Sequence, residues 1–279
     1  MPLWERRVAA PAADIRSSSK VVRFHDGGPT CKPSRSRLLP AVVRFAGLSL
    51  PVVRLRRQGP RQPTSPADSI RPFLYGDLPL GQWPPDDEST GDEPWQSFIR
   101  ARNALAGGQP DVAVKLWLSI ARTTNLESRQ TLQAWSFLRR QGMAPSADES
   151  PVVHGVICEI AVGDGHDVLA IYKDGSSRYL NHSGRIIVAQ GGPPQSALAA
   201  NAVITAAEPL GNVIGLWDQP TLPTVPSGHA RLLLLTPGGF RFGQGPQDAL
   251  WQEPMAGPVI SAATQLLLIL TESSDHPKP

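Results

Sequence analysis

The stretch from Tyr172 to Val188, "YKDGSSRYLNHSGRIIV", holds a Lys, an Asp, three Ser, two Arg, two Tyr, an Asn and a His. Groups of these types run acid–base or nucleophilic chemistry when one cleft gathers them. Two readings of the stretch compete. In one, Tyr179, Asn181 and His182, with Arg241 from a later segment, form a surface that recognises a ligand or a partner. In the other, the polar residues serve two tight turns and a solvated sheet face. Asp174-Gly175 is a favoured two-residue hairpin dipeptide, because that turn needs positive φ. His182-Ser183-Gly184 reads as a second turn closed by Gly. Between them Arg178, Leu180 and His182 alternate with Ser177, Tyr179 and Asn181, which puts Tyr179 and Asn181 on one face of a strand. Turns and pleat account for most of the polar residues, so no catalytic residue is assigned. Asn181-His182-Ser183 also matches a glycosylation acceptor, which a cytoplasmic protein would not use.

The rest of the chain offers less. The histidines are His25, His154, His166, His182, His229 and His276, with no pair at i, i+4 on a helix. Asp164, His166 and Asp167 share one turn and would need outside ligands to hold an ion, so no metal is expected. There is no nucleophile elbow and no phosphate-binding P-loop. "PGGFRFGQGP" at 237–246 is Gly-rich, but Asp248 stands where a dinucleotide fingerprint needs its third Gly, and the segment follows a hairpin. Gly243 and Gly245 therefore read as a bend and a close helix contact, and no cofactor is expected. Cys31 and Cys158 make neither a disulfide framework nor a zinc pattern; Cys158 reads as a small buried hydrophobe.

Charge is divided unevenly. Residues 1–72 hold 14 basic and 4 acidic residues, whereas 73–279 hold 13 and 20. The high isoelectric point thus belongs to the first quarter, and the remainder is mildly acidic. A phosphate-binding fold carries its own basic surface, so nucleic acid is not expected as a partner except through residues 1–72. That segment has ten prolines and no sustained period. It reads as a disordered basic tail, as an Arg-rich leader, or, the reading preferred, as the product of a start codon placed too far upstream. No apolar run approaches the length of a membrane span and no secretory signal is visible, so the expected location is the cytoplasm.

The elements that would position any site follow from periodicity. Residues 73–93 read as an acidic linker, and 1–93 as tail plus linker. Apolar stripes predict helices over 94–106, 110–123 and 127–141, stopped by Gly107-Gly108 and Gly142. The inner hairpin, "ARNALAGGQPDVAVKLWLSIA", is partly tetratricopeptide-like, but no 34-residue array follows. After a linker at 143–151 the period becomes strand-like. Strands are expected over 152–162, 168–173, 177–181 and 185–189, then a helix from Ser196 that Pro209 kinks or ends. An extended crossing at 218–228 leads to strands over 229–236 and 240–242 and a helix over 258–271. The fold class is therefore α+β: a three-helix unit (94–142), then an antiparallel β-meander covered by two helices (151–272).

The segments "FIRARNALAGGQPDVAVKLW", "LQAWSFLR", "DVLAIYKDGSSRYLNHSG", "LLLLTPGGFRFGQGP" and "GPVISAATQLLLIL" together resemble a family of bacterial proteins of unassigned function, over about residues 95–272. The resemblance implies a bacterial cytoplasmic protein and transfers no catalytic residue. The functional expectation is a non-enzymatic protein-interaction or adaptor module that offers a sheet edge or helical groove to a protein partner. The alternative is a small-molecule-binding or enzymatic domain using the Tyr179, Asn181 and His182 face with Arg241.

Overall fold

The computed structural model describes residues 71–84, 91–190, 194–219 and 221–275, all within one compact unit. The readings of residues 1–70 lie outside them. Helices α1 (Trp95–Ala106), α2 (Pro110–Arg122) and α3 (Ser128–Arg140) come first. They are followed by β1 (Gly155–Val162), β2 (Gly165–Tyr172), β3 (Ser177–Leu180) and β4 (Ile186–Ala189). Then come α4 (Pro194–Val213), β5 (His229–Thr236), β6 (Gly239–Pro246), α5 (Gln247–Gln252) and α6 (Ala256–Asp275). The fold is α+β, as its sequence periods imply. All pairings are antiparallel, in the order β4-β3-β2-β1-β5-β6.

The two sheet faces are both covered. Register puts Ile157, Ala170 and Leu233 in one cross-strand row. That face packs against Leu132 of α3 and Leu74. Val156, Ile171 and Leu234 form a row on the opposite face and are fully buried. There α4 lies over β1, β2 and β5, and α6 reaches β4. A sheet covered on both faces selects apolar runs, which is what the β1, β2 and β5 sequences show.

The helical unit has its own core. Phe98, Trp117, Trp135, Phe137 and Leu138 are buried together with Leu78 and Trp83. Helix α3 belongs to both cores, because Leu132 enters the sheet side while Trp135 and Leu138 face the helices. Residues 71–84, of which 73–84 are expected as linker, are instead a strap across α3. Gln133 accepts from the Leu78 N–H and donates to its C=O, both at 2.9 Å, as a neighbouring strand would. Arg140 donates to the Asp77 and Leu78 carbonyls. Gly76 has φ +61° there, and a Cβ would lie 2.7 Å from that of Leu132. Only Gly fits this approach.

Other differences are local. Helix α4 runs through Pro209 to Val213. The ring sits on the exposed side of the last turn, and burial of Leu210 and Gly211 holds that turn in place. Strand β6 extends to Pro246, beyond the expected three residues, since Gly243 and Gly245 still pair with Leu232 and Ala230. The short α5 has no apolar period and was not expected.

Candidate functional site

Both hairpins of the opening stretch use one loop type. In each, a three-residue loop (Lys173 to Gly175, His182 to Gly184) closes with an i+3 bond, from Gly175 N–H to Tyr172 and from Gly184 N–H to Asn181. Gly175 and Gly184 have φ +83° and +92°, and Asp174 is not at positive φ. This is the turn followed by a left-handed residue, and not the two-residue Asp-Gly hairpin read from the sequence. Asn181 Oδ1 accepts from the backbone N–H groups of Ser183 and Arg185. Asp174 Oδ1 accepts from Ser176, and its Oδ2 accepts from the Ser128 N–H at the start of α3. Asp174 is therefore a turn residue, as the sequence reading holds, and Asn181, read there as the end of a strand face, is one as well.

Tyr179 is a correction. Because both sheet faces are covered, there is no solvated face for it, and it is 7% exposed. Its hydroxyl donates to Asp167 Oδ2 at 2.9 Å. Asp167 Oδ1 accepts from the His182 N–H and meets His182 Nδ1, each at 2.8 Å. Burial, then the Asp167 charge, raises the Tyr179 phenol well above its ordinary value. A phenol held protonated this way is a structural donor. Arg241 is not part of the group. It stands on β6, four strands from Tyr179 on β3, roughly 19 Å at about 4.8 Å per strand. Its Nη1 donates to the Ile214 carbonyl at 2.6 Å. The four residues do not line one cleft.

The sheet has two edges, and they differ. On β6, the Phe240 carbonyl is taken by the Trp217 N–H at 2.8 Å, and Arg241 and Pro246 guard the strand. On β4, the Asn181 N–H donates to the Arg185 carbonyl. With the β3–β4 register, this turns the backbone groups of Ile187 and Ala189 toward β3 and those of Ile186 and Val188 outward. The Ile186 and Val188 side chains share the α3 side of the sheet and are 45% and 56% exposed. Ile186–Ala189 contains no charge, proline or glycine, so this edge lacks the usual guards against strand addition.

A second feature lies inside the sheet, between β1 and β5. Glu159 of β1 and Arg231 of β5 are directly opposed and almost wholly buried. Arg231 donates through Nε and Nη2 to Glu159 Oε2, and through Nη1 to the Pro223 carbonyl at 2.6 Å. Tyr75 donates to Glu159 Oε1 at 2.6 Å. Beside Arg231 is an open cavity of about 550 Å3 lined by Tyr75, His166, Phe240, Arg231 and the 221–225 segment. Neither residue of the pair was singled out in the sequence. The signal was there: one acid in "GVICEIAV" and one base in "HARLLLLT", each a lone charge in an apolar strand that must find a partner.

Cys158 needs little chemistry: burial, with the adjacent Glu159 charge, pushes its thiol up to about 12, so it is protonated at neutral pH. Among the described residues no group of three or more His, Cys, Asp or Glu is placed to hold a metal ion, and no helix is long and apolar enough to cross a membrane. Comparisons with protein-family models, curated proteins and solved structures found no match.

Proposed function

We propose that this chain is a non-enzymatic interaction protein that receives an extended segment of a partner protein along β4. The observation that supports the reading is the unguarded edge: outward backbone groups at Ile186 and Val188, beside two exposed apolar side chains. A partner strand gains main-chain hydrogen bonds there, and its alternate side chains cover Ile186 and Val188. Dispersal of the polar residues supports the same reading. Asn181 and Asp174 serve turns, Tyr179 serves Asp167, and Arg241 serves a loop carbonyl. Tyr179 and His182 meet at Asp167, but Asn181 is taken up by its turn and Arg241 stands on another strand, so the four do not form one set.

A photo-crosslinking side chain at position 188 of the full chain tests the proposal. A defined adduct is expected, lost when Ile186 on the same edge is changed to Lys and kept when Ser183 in the turn is changed to Ala. Adducts insensitive to Ile186→Lys, or no adduct in cells that make the protein, would overturn it.

A further inference from the structure

We propose that the cavity between Tyr75, the 221–225 wall and the Glu159–Arg231 pair binds an uncharged, largely apolar small molecule that carries a hydrogen-bond acceptor. Its volume, about 550 Å3, is in the range of small-molecule sites. Most of its lining is apolar: the rings of Tyr75 and Phe240, set edge-to-face at 6.0 Å, with Leu222 and Val225. The polar lining is Arg231 at the floor, with His166, Thr221 and Thr224 on the walls.

That floor sets the ligand's charge. Arg231 lines the site and Glu159 lies behind it, fully buried; the two charges cancel, so the floor holds no net charge to offset that of a ligand anion or cation. An extra charge in such a place costs heavily. The bonds made by Arg231 use three of its five N–H groups and leave one on each terminal nitrogen for a neutral oxygen. Tyr75 has its own proton committed to Glu159, so Arg231 is the buried donor that a carbonyl group at the floor would meet, the Thr221 and Thr224 hydroxyls lying on the exposed wall.

The wall of the site is also held in place. Residues 221–225 have no helix or strand of their own. Arg231 fixes the Pro223 carbonyl, and His166 Nε2 lies 3.3 Å from the Val225 carbonyl. A buried ion pair contributes little stability over apolar residues of the same volume. Here it positions a wall and a donor, which a Met pair would not.

The probe is prodan, an uncharged naphthalene ketone whose emission reports its surroundings, titrated into the full chain. One saturable site per chain with blue-shifted emission is expected, weakened at least tenfold by Leu222→Trp. The anionic analogue 1-anilinonaphthalene-8-sulfonate is expected to bind at least tenfold more weakly than prodan. Absence of saturation, equal binding by a folded Leu222→Trp chain, or equal binding of the sulfonate overturns the proposal. If Leu222→Trp does not fold, a diazirine-bearing prodan analogue answers the question in the unaltered chain. Adducts on 72–75 or 221–225 uphold the site; adducts elsewhere, or none, overturn it.

Discussion

Glu159 and Arg231 face one another across β1 and β5, and the Tyr75 hydroxyl closes the far side of the carboxylate. Removing one partner leaves the other charged and buried. Glu159→Met or Arg231→Met alone should therefore destabilise the protein by about 3–5 kcal/mol. The double replacement should cost less than either single one. Denaturant titration of the four proteins of this cycle measures it, and strictly additive costs would contradict the coupling.

Tyr179 keeps its proton far into the alkaline range because burial and Asp167 both disfavour the phenolate. Burial likewise pushes Tyr172 up to about 12. Both folded values lie above the unfolded one near 10, so the stability they contribute is complete below pH 10 and is lost as pH rises past it. Tyr179→Phe should cost about 1–3 kcal/mol at pH 7 and flatten the decline above pH 10. Unfolding followed from pH 8 to 11 in both proteins gives the answer.

His154 behaves in the opposite sense. Burial, then the charge of Lys173, lowers its imidazole to about 4, with Asp174 opposing. The folded value lies below the unfolded one near 6.5. The associated stability is present above pH 6.5 and disappears as pH falls toward 4, by at most about 3 kcal/mol. His154→Gln should weaken this acid dependence. A denaturation midpoint that drops equally in both proteins between pH 7 and 4.5 would count against it.

Proline scanning of β4 separates its two sides. The Ile187 N–H points to β3 and the Val188 N–H points outward. Ile187→Pro should cost about 1–3 kcal/mol by leaving a ladder acceptor unmet. Val188→Pro should change stability by under about 1 kcal/mol, since proline is tolerated where a strand edge faces solvent. Thermal unfolding of the two variants compares them directly, and crosslinking from position 186 should show that Val188→Pro abolishes partner capture.

Much of the architecture was legible because its signals are local. Gly107-Gly108 and Gly142 stop helices, and Gly175 and Gly184 close hairpins, at the positions the sequence marks. The strap at 71–84 was not legible, because it has no period and is defined by its fit to α3 through Gln133 and Arg140. Burial of the polar face of α3 was not legible for the same reason: Gln130, Gln133 and Ser136 are buried by the strap and the sheet, which no period marks. The site suffered most. Tyr179 alternates as a solvated residue would, and only the presence of helices on both sides of the sheet turns it inward. Ile186 and Val188 drew no notice, since exposure at an edge depends on strand order, which pattern alone does not fix.

Helix α3 is shared property. Its side chains from Ser128 to Leu138, Arg129 excepted, are buried, some against the helical core and some against the sheet. Neither half can melt and leave the other its full interior. The helices and the sheet should therefore unfold in a single cooperative step, and a chain begun at residue 143 should lose one wall of its sheet and fail to fold.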